Sequence, residues 1–170
     1  MRYEGSIYRP PSEAYSLIIQ TTIGCSHNKC TFCSMYKGKR FRIRDVKEVI
    51  ADIEESRSCY KSIRRVFLAD GNALAMKTAD LKKVLLKIRE LIPECERVGI
   101  YGSPGDILHK SCEELRELKE LGLGIVYMGL ESGSDEILKN IRKGVTSQEM
   151  IEAGRQLVNS GIKLSITLIS

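Results

Sequence analysis

The sequence predicts an α/β protein built on a single parallel sheet. Three observations predict it. Strand-length runs rich in β-branched residues alternate with stretches whose apolar residues recur at helical spacing. The connections between successive strands are long enough to cross over to parallel pairing. The loops of unusual composition all follow strands.

The first strand spans residues 16–23, a β-branched run that ends at Gly24. Residues 45–60 follow as a helix with Val46, Val49, Ile50, Ile53 and Tyr60 on its apolar side, and Asp45 with Glu48 has the form of a capping box. A second strand over 65–69 runs into the turn Asp70-Gly71-Asn72. Thr78 then caps a helix whose stripe is Leu81, Val84, Leu85, Ile88 and Ile92, with Pro93 helping to stop it. The third unit is strand 97–101, a loop over 102–106, and a helix opened by the pair Ser111/Glu114 and closed at Gly122. A fourth strand, 124–130, meets Glu131-Ser132-Gly133-Ser134. A short helix over 135–142 precedes a longer one that opens at Thr146/Glu149, carries Met150, Ile151, Leu157 and Val158 on one face, and ends at Gly161. Residues 162–169 form a fifth strand. Periodicity alone leaves a barrel and an open doubly wound sheet both open. In either, the C-terminal strand ends share one rim, where such folds place their chemistry.

A length of 170 residues with 42% apolar content fits one core-forming domain. The formal charge is +5, but acids and bases alternate along the helices without a basic block, so the composition lends no support to nucleic-acid binding. No window approaches the apolar length that spans a bilayer, and the N-terminus lacks a basic-then-apolar signal; the expected location is cytoplasmic and no membrane partner is expected.

Three of the six cysteines, Cys25, Cys30 and Cys33, fall on one short loop after the first strand. In a reducing compartment such clustering favours metal over disulfides. Three soft ligands suit zinc, with His27 as a fourth, or iron and sulfur. A ferredoxin-type site would take Cys59 as its fourth ligand, making the chain an electron carrier. A cubane held by three thiolates alone leaves one iron open to a reactant. Cys112 shares an apolar stripe with Leu115 and Leu118, the ordinary structural use of a free cysteine.

The three-cysteine loop after strand one, Phe32 immediately before its last cysteine, and the serial strand-helix units resemble the radical SAM superfamily. The string Gly129-Leu130-Glu131-Ser132-Gly133-Ser134-Asp135-Glu136 is similar to the fourth-strand end of its coproporphyrinogen-oxidase-like and methylthiotransferase-like members. The usual family spacing is three residues and then two, whereas Cys25 and Cys30 enclose four. The resemblance implies a partial six-unit TIM-type barrel, here one core domain over 1–170 with an N-terminal extension over 1–15 and the chain stopping after strand five, as a piece of a longer protein would. It also implies an enzyme in which Cys25, Cys30 and Cys33 hold a [4Fe–4S] cluster that cleaves S-adenosylmethionine (SAM) to a 5′-deoxyadenosyl radical. The implied partners are an external electron donor of flavodoxin or ferredoxin type and a substrate that takes the radical.

Further positions follow from the same resemblance. Asp70-Gly71-Asn72 stands where the family places a Gly-Gly-Glu segment against the methionine amino group, and only the central glycine is retained. Ser103 and Glu131 fall where relatives contact the ribose or amino group. Lys143, with Arg142 as the alternative, falls where a cation meets the methionine carboxylate. Thr167 and Ile169 fall where residues flank the adenine.

Overall fold

A computed structural model of the chain describes residues 2–169. The elements in chain order are β1 (Leu17–Gln20), β2 (Thr22–Ile23), β3 (Arg42–Ile43), α1 (Val46–Cys59), β4 (Arg65–Ala69), α2 (Thr78–Leu91), β5 (Arg97–Tyr101), α3 (Pro104–Leu108), α4 (Cys112–Glu120), β6 (Leu123–Glu131), α5 (Asp135–Asn140), α6 (Ser147–Asn159) and β7 (Lys163–Leu168). Five strands pair in parallel in the order β1-β4-β5-β6-β7. That order never reverses, so the sheet has no switch point. Right-handed crossovers that always step the same way put all the helices on one face, the winding of a barrel rather than of a doubly wound sheet. The sheet is a partial barrel and does not close on itself.

The two faces of the strands separate by period two. Val66, Leu68, Val98, Ile100, Val126 and Met128 join Val49, Ile53, Leu81, Leu85, Leu115 and Leu157 in the large core between sheet and helices. Alternate residues Phe67, Ala69 and Tyr127 point to the concave face, where Ile18, Tyr101 and Ile125 complete a smaller aromatic cluster. Phe67 meets Tyr101 edge to face at 5.0 Å.

Local chemistry corrects several expected boundaries. The first strand breaks at Thr21, whose N–H and hydroxyl both donate to the Ala69 carbonyl (2.5 and 2.9 Å). Thr22 and Ile23 then pair antiparallel with Ile43 and Arg42, so a two-rung ladder closes the base of the long loop that carries the cysteines. The Asp45/Glu48 capping box does not form. Asp45 caps α1 through the Lys47 N–H (2.7 Å), while Glu48 faces Arg44 (3.7 Å) and Arg2 (3.9 Å). Lys77, not Thr78, precedes the first turn of α2. Residues 104–108 form α3 instead of a loop, capped by the Ser103 hydroxyl, which accepts from Asp106 N–H at 3.1 Å. The boxes at Ser111/Glu114 and Thr146/Glu149 form as the sequence predicts.

The N-terminal extension is built into the fold. The Tyr3 hydroxyl donates to the Ile18 carbonyl on the β1 edge (2.8 Å), and Glu4 N–H donates to the Gln20 side chain (2.8 Å). A 3-10 turn at Pro11–Glu13 then carries the fully buried Glu13 carboxylate to the concave face, where it accepts from Arg97 (2.5 Å), the Tyr127 hydroxyl (2.5 Å) and the Ser16 hydroxyl. Gly99 leaves the room for it, since a Cβ there would stand 3.1 Å from Glu13 Oε1.

Candidate active site

A cavity of about 460 Å³ opens at the C-terminal ends of the parallel strands. Cys25, Cys30, Phe32, Cys33, Gly71, Asn72, Ser103, Glu131, Lys143 and Thr167 all line it. Two of the expected residues do not. Asp70 lies beneath the wall, and Ile169 is nearly half exposed, with its N–H donating to the Glu131 carbonyl (3.1 Å).

Asp70 anchors the cysteine loop from below. Its Oδ2 accepts from Gly24 N–H (3.1 Å), Lys39 Nζ (2.7 Å) and Gln20 Nε2 (3.3 Å). Tyr36, on the same loop, packs so closely on Gly71 that a Cβ there would fall 2.5 Å from its ring. This close approach explains why the central glycine of the turn is the one retained. Burial, with the Asp70 carboxylate nearby, pushes the Tyr36 phenol far above its ordinary pKa. The Tyr36 hydroxyl and Asp70 Oδ1 are both buried at the foot of the loop, and among the described residues neither meets a partner in full hydrogen-bond geometry.

The longer interval between Cys25 and Cys30 is absorbed at Asn28, which adopts a left-handed conformation (φ 42°). Its amide closes the turn by donating to the carbonyls of Tyr36 (2.8 Å) and Lys39 (3.4 Å). The loop also docks on the end of α5, where Thr31 N–H donates to Ile141 O (3.0 Å) and His27 Nε2 lies 2.7 Å from Arg142 O. A carbonyl only accepts, so Nε2 carries the proton, and that nitrogen is closed to metal.

All three thiols of the loop are free and half-buried. Burial raises the Cys30 pKa, and neighbouring Cys25, Cys33 and Glu131 raise it further against the lowering effect of Lys143. Among the described residues, no three His, Cys, Asp or Glu side chains converge closely enough to hold a single metal ion. Thiols that line one cavity without closing on a single point suit a cubane, in which each takes its own iron, better than a tetrahedral zinc that needs every ligand around one centre. Cys59, the fourth ligand of a ferredoxin-type site, is exposed at the end of α1 and does not line the cavity.

Near Cys30, Glu131 pairs with Lys143 (3.1 Å), and only 11% and 12% of these side chains are exposed. A register irregularity between Gly129 and Glu131 precedes the last pair of the β6/β7 ladder, Glu131 with Leu168, and Glu131 takes a left-handed conformation (φ 63°). A bulge of this kind re-aims a side chain at a strand end. Gly129 makes room beneath the pair, since a Cβ there would collide with Glu131 Oε1 and stand 2.7 Å from Lys143 Nζ. On the remaining wall Asn72 is buried; its Oδ1 accepts from Ser103 N–H (3.0 Å), and its Nδ2 donates to Ser26 (2.5 Å) and Asp106. Asp106 also accepts from the Ser103 hydroxyl. Asp106 and His109, both on the cavity, had one legible signal: Ser103-Pro104 followed by an acid is a helix start.

The radical SAM superfamily model matches residues 19–170. The chain is 28% identical over 157 residues to a Methanocaldococcus jannaschii protein that bears the name of a methylthiotransferase, covering 91% of this chain and 35% of that one. It is 31% identical over 148 residues to a protein of Pyrococcus horikoshii named as a methyltransferase, covering 85% of this chain and 30% of that one. The chain therefore spans about a third of the length of these curated relatives. Among solved structures, the cobalamin-dependent SAM radical enzyme OxsB with aqua-cobalamin and SAM bound superposes with a TM-score of 0.74 at 20% identity, over 91% of this chain and 24% of that one. Coproporphyrinogen III oxidase (HemN) from Escherichia coli gives 0.63 at 14% identity, over 90% and 36%. These two likenesses are of fold. The family match runs from β1 to the last residue and leaves no strand of the parallel sheet outside it: the chain belongs to the radical SAM superfamily of enzymes, whose members use a [4Fe–4S] cluster and SAM.

Proposed function

We propose that this chain supplies the SAM-cleaving core of a group-transferring radical enzyme, with Cys25, Cys30 and Cys33 as the ligands of a [4Fe–4S] cluster. The observation that carries the reading is the convergence of three free thiols and the Glu131–Lys143 pair on one strand-end cavity. When bound, a cluster with one open iron supplies an electron to the SAM sulfonium, which parts into methionine and a 5′-deoxyadenosyl radical.

The protein's own residues orient and exclude. Glu131 accepts from the ribose or amino group of SAM. Lys143, held beside it at 3.1 Å, presents its ammonium to the methionine carboxylate. Asn72 and Ser103, fixed by each other and by Asp106, give that wall a set shape. Thr167 and Phe32 border the remaining space, and Asp70 acts through the loop it anchors. An external one-electron donor and a substrate at the open side of the cavity complete the requirements. The names carried by the relatives support transfer of a methyl or methylthio group over net oxidation.

Anaerobic reconstitution of the full-length protein is expected to give about four irons per chain and dithionite-dependent 5′-deoxyadenosine. Alanine at any of the three cysteines should abolish both. Protein that takes up only zinc, or no metal, overturns the reading.

A further inference from the structure

A second concavity lies on the outer side of the cysteine loop, lined by His27, Lys29, Lys37, Lys139, Arg142 and Gly144. It contains no acid. Lys29, Lys37, Lys139 and Arg142 are exposed, and among the described residues none of the four is in an ion pair. Lys139 and Arg142 sit where cations commonly satisfy a helix C-terminus. Lys29 and Lys37 come from the cysteine loop, so the dipole does not account for the cluster. The two elements are fastened together by the Thr31 and His27 bonds to the end of α5, which makes the patch one surface.

We propose that this basic cleft is the docking surface of a small acidic protein that delivers single electrons to the cluster. The proposal rests on the reading of the cysteine loop given above and deepens it by naming the partner's place. His27 and Gly144 line both the cleft and the main cavity and so form the wall between them. The cavity side is taken by SAM and substrate, so the electron has to enter from another face. His27 and Lys29, from the segment that joins Cys25 to Cys30, line the cleft, so a partner docked there lies against the back of the cysteine loop. Four unneutralised cations in one concavity attract an acidic surface and raise the encounter rate. In the step itself the carrier loses one electron and the cluster gains one; no bond is made or broken and no proton moves.

The test uses reconstituted full-length protein, with reduced flavodoxin as the probe and a tRNA transcript as the competing polyanion. Lys29→Glu combined with Lys139→Glu changes one cation on each element, and neither side chain is in the cavity wall. Flavodoxin binding is expected to weaken about tenfold or more and to lose most of its salt dependence, with the Gln versions of both residues falling between. Flavodoxin-driven 5′-deoxyadenosine formation should fall in parallel. Iron content and dithionite-driven formation, which need no docking, should stay unchanged. Unchanged flavodoxin binding in the Glu variant overturns the proposal. So does weakened tRNA binding with flavodoxin binding intact, which would make the cleft an RNA surface. If dithionite yields no 5′-deoxyadenosine from the unmodified protein, the cofactor reading itself fails, and the docking proposal falls with it.

Discussion

Two glutamate–cation pairs sit on the concave side of the same sheet, and they do different work. Glu13 with Arg97 lies in the depth of the partial barrel, the carboxylate fully buried and also bonded to Tyr127 and Ser16. Glu131 with Lys143 stands at the rim, on the wall of an open cavity. The carboxylate of the first pair is held in ordinary backbone by three donors, while Arg97 keeps 26% of its side chain exposed and its buried Nε has no partner among the described residues. The second depends on a bulge, a left-handed glutamate and a glycine that keeps clear of both side chains. A fully buried carboxylate bonded on several sides is structure, whereas an ion pair held in strained backbone on a cavity wall is poised for a ligand.

Breaking the deeper pair should give the larger effect. Glu13→Ala leaves the Arg97 guanidinium and the Tyr127 hydroxyl without their acceptor on the concave face, and stability is expected to fall by about 3 kcal/mol, read as a shifted denaturation midpoint at unchanged slope. SAM affinity of the reconstituted protein should change little. A variant that kept its stability but lost SAM binding would reverse the roles assigned to the two pairs.

The rim pair is tested from beneath. Gly129→Ala pushes Glu131 and Lys143 off their positions, because the new Cβ meets the ends of both side chains. SAM affinity is expected to drop about tenfold, or about 1.4 kcal/mol, by equilibrium binding. The midpoint of unfolding should move less than in Glu13→Ala.

The smallest effect expected lies away from both pairs and sets the scale of a purely local contribution. Ser111→Ala opens the capping box of α4 and should cost about 1 kcal/mol without touching SAM binding. The partner carboxylates of the two boxes, Glu114 and Glu149, are held below the ordinary carboxylate range, Glu114 first by the Thr78 hydroxyl and Glu149 first by the Thr146 N–H. Since the folded values are lowered, this stabilisation is complete above the ordinary glutamate pKa and disappears as pH falls through the lowered values. An acid titration of the unfolding midpoint should therefore show this contribution fading at the acid end, while the Ser111→Ala difference, set by a hydroxyl that accepts from the Glu114 backbone N–H, should largely persist.

The sheet was legible in the sequence because its strands are period-two runs separated by strong helical stripes; β4 and β5 have the expected bounds. The β2/β3 ladder was not, since two short pairs leave no periodicity to read. α3 was hidden for the same reason: five residues are too few for a stripe. Most of the expected site residues reach the cavity because strand-end loops share a rim, which the order of elements already implies. Asp70 does not, although it sits between cavity neighbours in sequence. Its direction is set by Gly24, Lys39 and Gln20, contacts 31 to 50 residues away that no local pattern announces.

The seat of Glu13 has a consequence for the order in which the molecule is made. Each parallel strand finds its neighbour in the unit just synthesised, so the sheet can grow as the chain emerges. Glu13 is separated from Tyr127 by 114 residues and from Arg97 by 84. Glu13 thus reaches its full set of partners only once β6 exists to supply Tyr127. The Pro11–Glu13 turn is made before the strands that seat it, and seating it fills the concave face behind the finished sheet.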